Sequence, residues 1–318
     1  MKKSRIFVLT LISVFLLSGC GIKKLNDKYL ETKTAGSNTA EDLGISLSCV
    51  MGDEVEWKKT KNRIDDGETG IEETISLEIL GEKYELKYDK SEWNLGVGWI
   101  DNYKTEKRGV KASFNSDTGK LNSVIVDKYK YTYEDDYVPS KENGTTIKTD
   151  EEFESLSKKY LNEIFENIDY DRYTVTKDFE VKKEKHGTLV TRNPAMYSLD
   201  VYFNGIRTGE RICVEMNEYG DFVACSRKNI GAYDDLDVDY LIDTGLLTDK
   251  ACEVAGETIK EKYKEYGKEV KELTYDTDKD VFCLDEDGKP IRIVYCHITL
   301  ENGDTDIIQV VVGIEEQM

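Results

Sequence analysis

From residue 45 to about 138 the chain alternates apolar and polar positions with the two-residue period of half-buried strands. Ile75, Leu77 and Ile79 are followed, after Gly81-Glu82, by Tyr84, Leu86 and Tyr88 at the same period. A Gly-X pair between two such runs predicts a type II′ hairpin pairing 79 with 84, 77 with 86 and 75 with 88, with all six apolar side chains on one face. Val110, Ala112 and Phe114, the loop Ser116–Lys120 and the run Leu121–Val126 predict a second hairpin. Near 149 the period becomes helical. Phe153, Leu156, Tyr160, Ile164 and Phe165 form one stripe, and Thr149 with Glu152 has the spacing of a capping box. Strands are predicted at 173–181, 197–203, 210–216 and 222–227. The acidic run Tyr233–Tyr240 reads as a linker or exposed edge.

After Thr248 the helical period returns, with Cys252, Ala255, Ile259 and Tyr263 on one side. Strands follow at 270–275, 281–285, 291–300 and 305–313. Aligned at Thr149 and Thr248, both helices begin Thr-Asp, and Asn204-Gly205 precedes Gly220 by the same interval as Asp287-Gly288 precedes Gly303. The pattern predicts an α+β fold: repeated units of one helix packed on an antiparallel sheet, preceded by a mainly β segment. The divisions are a signal peptide at 1–19, a lipidated Cys20 with a flexible tether to 44, a mainly β domain at 45–138, an α+β domain at 139–232 and its repeat at 233–318.

The first twenty residues change the picture from fold to location. Lys2, Lys3 and Arg5 precede the apolar run Ile6–Leu17 and then Ser18-Gly19-Cys20, the layout of a secretory signal. The run is too short to cross a hydrocarbon core, which needs about 20 helical residues. Leu17-Ser18-Gly19-Cys20 resembles the lipobox of bacterial lipoproteins. That resemblance implies cleavage before Cys20, lipid on its thiol and an extracytoplasmic protein anchored to the cell membrane, stably so because two acyl chains hold far better than one.

With 44 basic against 64 acidic side chains the formal charge is −20, and removal of Lys2, Lys3 and Arg5 makes it more negative still. Such a body repels phosphate backbones, which argues against a nucleic-acid partner, and it also repels anionic headgroups, leaving the lipid to hold it. Six cysteines remain besides Cys20. A three-residue turn at Glu218-Tyr219-Gly220 places Cys213 opposite Cys225, open either to a cross-strand disulfide or to two neighbouring free thiols.

Tyr202–Ile206, Gly209–Met216 and the turn Asn217–Asp221 together resemble the PepSY-type domains of exported bacterial proteins, and Phe114–Lys120 resembles the same family's hairpin. The resemblance covers about 145–230, and more weakly 100–130 and 248–313. It implies a small cystatin-like fold and a non-catalytic, extracytoplasmic role toward peptidases or envelope components, with no catalytic residues to carry over.

The chain holds two histidines. His186 lies in a polar turn, and His297 follows Cys296 in a strand, where neighbours point to opposite faces and form no dyad. Hydrolase, phosphate-loop and dinucleotide motifs are absent from the sequence. Asp276, Asp278 and Asp280 have the spacing of a calcium loop, but Val281 stands where that loop needs glycine and Asp287 where it needs Glu, so a solvated connection is the better reading. No metal or cofactor is expected. Strand tyrosines such as Tyr129, Tyr131, Tyr133 and Tyr137 read as sheet-face packing.

In the C-terminal hairpin, Asn302-Gly303 signals a type I′ turn. It predicts one face with Val294, Cys296, Ile298, Leu300, Ile307 and Val311, and a second with Ile293, Tyr295, His297, Ile308, Val310 and Val312. One helix covers one face only, so Ile293, Tyr295, Ile308, Val310 and Val312 are expected to form an interface, with the preceding repeat or with another protein. The function expected is a surface-tethered, non-catalytic binding or regulatory module whose partners are the membrane, through Cys20, and an envelope protein or peptide. The alternatives are an envelope hydrolase with a dispersed site and a solute-binding lipoprotein.

Overall fold

The computed structural model describes residues 45–106, 109–126, 149–178, 181–184, 187–190, 195–217 and 220–316. The signal segment, Cys20, the tether, His186 and Tyr129, Tyr131, Tyr133 and Tyr137 lie outside these residues.

The N-terminal segment forms β1 (Ile45–Met51), β2 (Lys58–Lys61), β3 (Thr74–Ile79), β4 (Glu82–Asn94), β5 (Gly98–Lys104), β6 (Val110–Asn115) and β7 (Leu121–Val126). Helix α1 (Asp150–Ile164) precedes β8 (Thr174–Asp178), β9 (Val181–Glu184), β10 (Gly187–Val190), β11 (Ala195–Phe203), β12 (Ile206–Met216) and β13 (Phe222–Lys228). Helices α2 (Val238–Asp243) and α3 (Asp249–Glu265) lead into β14 (Val270–Tyr275), β15 (Val281–Leu284), β16 (Pro290–Leu300) and β17 (Thr305–Glu316). Both long helices start at their predicted caps: the Thr149 hydroxyl accepts from the Glu152 amide at 3.2 Å and the Thr248 hydroxyl from the Lys250 amide at 3.3 Å. Each cap satisfies an amide that has no partner within the helix.

These elements do not build repeated helix-on-sheet units. Fifteen strands join into one mixed sheet, with β9 and β10 as a separate pair, and three α-helices stand among the described residues. The α+β expectation fails because it considered pairing only between strands close in sequence. Ala224–Ser226 of β13 pair with Ser123–Ile125 of β7, and every residue of β1 pairs with β17. A strand edge is a row of unsatisfied amides and carbonyls, so each segment's exposed edge is a template for the next. Pairing thus crosses both positions, near 138 and near 232, at which the sequence was divided.

The joint lies in β12. Arg207 and Thr208 bridge in parallel to Val281 and Phe282 of β15, while Arg211–Met216 pair antiparallel with β13 on the same edge. Two branches therefore leave one strand, and they part at Gly209. A Cβ there would strike the Tyr233 hydroxyl, and the Asn229 side-chain amide donates to the carbonyls of Gly209 and Gly96, tying the branches at their root. The C-terminal branch runs β15-β16-β17-β1, with β14 also on β16; the N-terminal branch runs β13-β7-β6-β5-β4-β2, with β3 on β4. Their outermost strands, β1 and β2, are consecutive in the chain. Six residues join them, a span of at most about 20–25 Å, so the free ends of the branches are drawn together.

The helices lie on one face, here the front. Phe153, Tyr160 and Leu161 of α1 and Ala251, Ala255 and Ile259 of α3 are buried with Tyr197, Leu199, Ile212, Val294, Val310 and Val312 in one core. The acidic stretch 233–240 is neither a linker nor an exposed edge: Tyr233 is 2% exposed, and Val238, Leu241 and Ile242 of α2 are buried in the same core. Its carboxylates fall between the apolar positions and face outward, so the charge run hid a core segment. In the β3–β4 hairpin the turn is Leu80-Gly81, both at positive φ, and Ile79 pairs with Glu82, Leu77 with Tyr84 and Ile75 with Leu86. The offset from the sequence expectation is two residues, which preserves the shared face.

Candidate functional site: the groove between the branches

The C-terminal hairpin departs from expectation by one residue, and that changes its chemistry. Asn302 has no positive φ, Gly303 does (91°), and Leu300 and Asp304 close a three-residue loop (N–O 2.8 Å). Val294 consequently opposes Val310 and Ile293 opposes Val311. A one-residue slip turns every side chain of one strand to the other face. Ile308, Val310 and Val312 thus sit on the front with Val294, Cys296 and Ile298, beneath α3, and Val310 and Val312 are fully buried. The five residues expected to form one interface are split: Ile293 and Tyr295 remain on the back, and the three β17 residues do not.

The back face is partly covered, by the N-terminal branch. Trp57, Leu95, Tyr295 and Val311 pack against Cys283, Ile291 and Ile293. At the root, a Cβ on Gly96 would lie 2.9 Å from the Cys283 Cβ, so only glycine, here at φ +72°, lets the β4–β5 turn come this close. Further out the branches leave a groove of about 480 Å³, within the range of small-ligand sites. Ser48, Val50, Ile291, Val311 and Gly313 form its floor; Val55, Trp93 and Leu95 form one wall. Its rim carries Glu56, Lys59, Asp285, Glu286, Asp287, Lys289 and Glu315.

One cation already occupies this rim. Lys59 Nζ lies 5.0 Å from the Trp93 ring centroid and 2.9 Å from Glu286 Oε2. The bond it donates to Glu286 holds its ammonium above the usual lysine range. Beside it in β2, Lys61 Nζ lies 4.6 Å over the Trp99 ring and 2.7 Å from Glu68. Among the described residues Glu56, Asp287 and Glu315 make no ion pair, and Asp285 serves its own turn, its side chain accepting from the amides of Asp287 and Lys289. Burial, with Asp285 adding to it, pushes the Cys283 thiol up to about 12. A thiol so held is protonated near neutrality and is no nucleophile.

The other residues singled out from sequence lie elsewhere. Met216 stands opposite Phe222, as expected, and the Asn217 amide donates to the Asp221 carbonyl, but a bulge between Glu215 and Met216 takes up one residue. Cys213 then opposes Ser226 and Cys225 opposes Val214, so the two thiols point to opposite faces, and both are free. The disulfide alternative gives way to the free-thiol one. Cys296 is on the front, its thiol raised to about 12 by burial, whereas His297 is on the back, 3.2 Å from Asp276. The calcium-like acids hold protein cations: Lys279 and His297 keep the Asp276 carboxyl below its usual range, and buried Asp280 accepts from Arg292 at 3.0 and 2.6 Å.

A smaller recess of about 280 Å³ lies on the N-terminal branch, lined by Arg63, Asp101, Tyr103, Phe114 and Ser116 among others. Its one cation is taken up internally, since Arg63 bonds both Asp101 oxygens (3.1 and 2.9 Å) and Glu68 (2.5 Å). The larger groove is therefore the stronger candidate. Sequence reading found its floor strands but not Trp93, Lys59 or Glu286, which lie 34 to 227 positions apart; the alternation of Lys59 and Lys61 in an edge strand was the only local sign. No protein-family model, curated protein or solved structure matches the chain, so the reading of this site rests on its own geometry.

Proposed function

We propose that the protein is a lipid-anchored, non-catalytic binding module of the bacterial cell envelope, tethered through Cys20, with its ligand in the groove between the sheet branches. The groove carries the reading: an open cavity of about 480 Å³ with an apolar floor, one aromatic wall and a charged rim. Ligand sites combine these features, apolar surface for affinity and a few polar groups for orientation. The resemblance of 145–230 to PepSY-type segments of exported proteins points the same way.

Two variants test the two halves of this reading. Cys20→Ser is expected to abolish incorporation of a palmitate analogue and to release the protein from membranes; undiminished labelling would overturn the anchor. Gly313 lies on the groove floor, and a Cβ there meets only Ser48 Oγ at 3.5 Å and Ile291 Cγ2 at 3.6 Å, both ordinary contacts. Gly313→Phe should therefore fill the groove while the fold persists. Titration of the full chain with envelope glycan fragments and peptides, followed by tryptophan emission, should show binding that this variant loses. If no member of the panel distinguishes the open from the filled groove, the site assignment fails.

A further inference from the structure

Building on the groove as the binding site, we infer that its ligand is a lysine-bearing stretch of extended polypeptide, and that Lys59 is an internal stand-in for the ligand's ammonium group. Lys59 lies between the face of Trp93 and the carboxylate of Glu286, which is the arrangement that recognises a cation: the negative face of an aromatic ring and a charged acceptor. The rim around it is unbalanced. Glu56, Asp287 and Glu315 are exposed and make no ion pair among the described residues, against Lys289 as the facing cation. The apolar floor of Val50, Ile291 and Val311 suits the methylene stems of lysine side chains, which bury their carbons while the ammonium stays at the polar rim.

The flanking strands favour a peptide over a free polyamine. Among the described residues β1 pairs with β17 alone and β2 with β4 alone, and both contribute to the lining of the groove, so each has one backbone edge without a strand partner. An extended segment can add to such an edge by main-chain hydrogen bonds, with alternate side chains entering the groove. β2 itself reads Lys-Lys-Thr-Lys and holds no apolar side chain. Its inward lysines are held by charge and ring contacts, interactions that a competing cation replaces like for like.

The test uses the full chain in detergent, with hexalysine as probe and tryptophan emission as readout. Hexalysine is expected to bind, with affinity falling steeply between 50 and 500 mM salt, and its fully Nε-acetylated form at least tenfold more weakly. The triple variant Glu56→Gln, Asp287→Asn, Glu315→Gln should lose at least tenfold at an unchanged melting temperature. A control triple on and just after the helices, Glu163→Gln, Glu166→Gln, Glu261→Gln, removes the same charge and should stay within twofold. Equal binding of the acetylated peptide, or an equal loss in the control triple, overturns the cation assignment. Spermidine binding as tightly as hexalysine would overturn the peptide. If a glycan or the acetylated peptide binds and Gly313→Phe blocks it, the groove stands and this inference alone fails; hexalysine binding that survives Gly313→Phe sinks both.

Discussion

The two branches of the sheet share one apolar core, with Leu86 and Val124 at 0% exposure in the N-terminal one, but their outer strands are held differently. In the C-terminal branch, Phe282, Val294, Cys296, Val310 and Val312 are 0% exposed, and each fully buried side chain of this size contributes roughly 1.5–3 kcal/mol. Arg292 and Asp280 lie inside that core, 3% and 0% exposed, with the other guanidinium N–H groups donating to the carbonyls of Leu246 and Thr248 and to the Cys252 sulfur. The outer N-terminal branch is instead laced with partly exposed ion pairs: Lys61–Glu68 at 2.7 Å, Lys58–Glu92 at 2.9 Å, Lys104–Asp89 at 2.6 Å and Lys87 with Glu106. Exposed pairs are each worth about 1 kcal/mol or less and are weakened by salt. One continuous sheet can therefore carry a firm half and a labile half, and the groove lies where the labile half closes over the firm one. Trp93 and Trp99 stand in β4 and β5 of the labile side and Trp57 immediately before β2, so tryptophan emission is weighted toward that side.

The largest expected effect breaks the firm side. Val310→Asp would place a carboxylate beneath α3, where the neighbouring cation Arg292, opposite Val312, is already held by Asp280, at a cost on the order of 4 kcal/mol. Thermal melting followed by far-ultraviolet dichroism should show a large fall in midpoint, and a shift of only a degree or two would mean that Val310 is not buried.

Acid should separate the two sides. Lys61 and then Arg63 hold the Glu68 carboxyl below the usual glutamate range, and Lys87 does so for Glu106. Burial works against ionisation of Glu92, but Lys90 and Lys58 outweigh it and its pKa is also lowered. A carboxylate with a depressed folded-state pKa binds fewer protons folded than unfolded, so its stabilisation is complete above the unfolded value of about 4.3 and is lost as pH falls through the folded value. Below about pH 4.3, tryptophan emission should change before the dichroism signal of the sheet does. Coincident transitions would show that the branches unfold as one.

The smallest effect sharpens the contrast. Lys61→Ala removes one exposed ion pair and one ring contact, and should lower stability by about 0.5–1 kcal/mol at low salt and by less at 1 M salt. An effect of equal size at both salt concentrations would argue that Lys61 acts through packing of its stem.

Local physics was legible in the sequence because caps, periods and turns are written within a few residues. Thr149 and Thr248 start their helices, the Val110–Val126 hairpin forms where predicted, and the C-terminal strands fall within a few residues of their expected bounds. The candidate site was far less legible. A turn of three residues instead of two at Gly303, or a bulge beside Met216, is nearly neutral locally yet turns Val310 into the core and separates Cys213 from Cys225. The alternation alone could not resolve this, since β16 and β17 are apolar on both faces and fit either register. Only the tertiary structure fixed the register, because α3 needs Val310 and Val312 beneath it. Only the tertiary structure made the fork, because the β7–β13, β12–β15 and β1–β17 pairings join segments up to 271 residues apart. The sequence by itself determined which stretches become strands and helices, through interactions spanning a few residues; the joining of strand edges, and with it the groove, depended on which distant edges were left to pair.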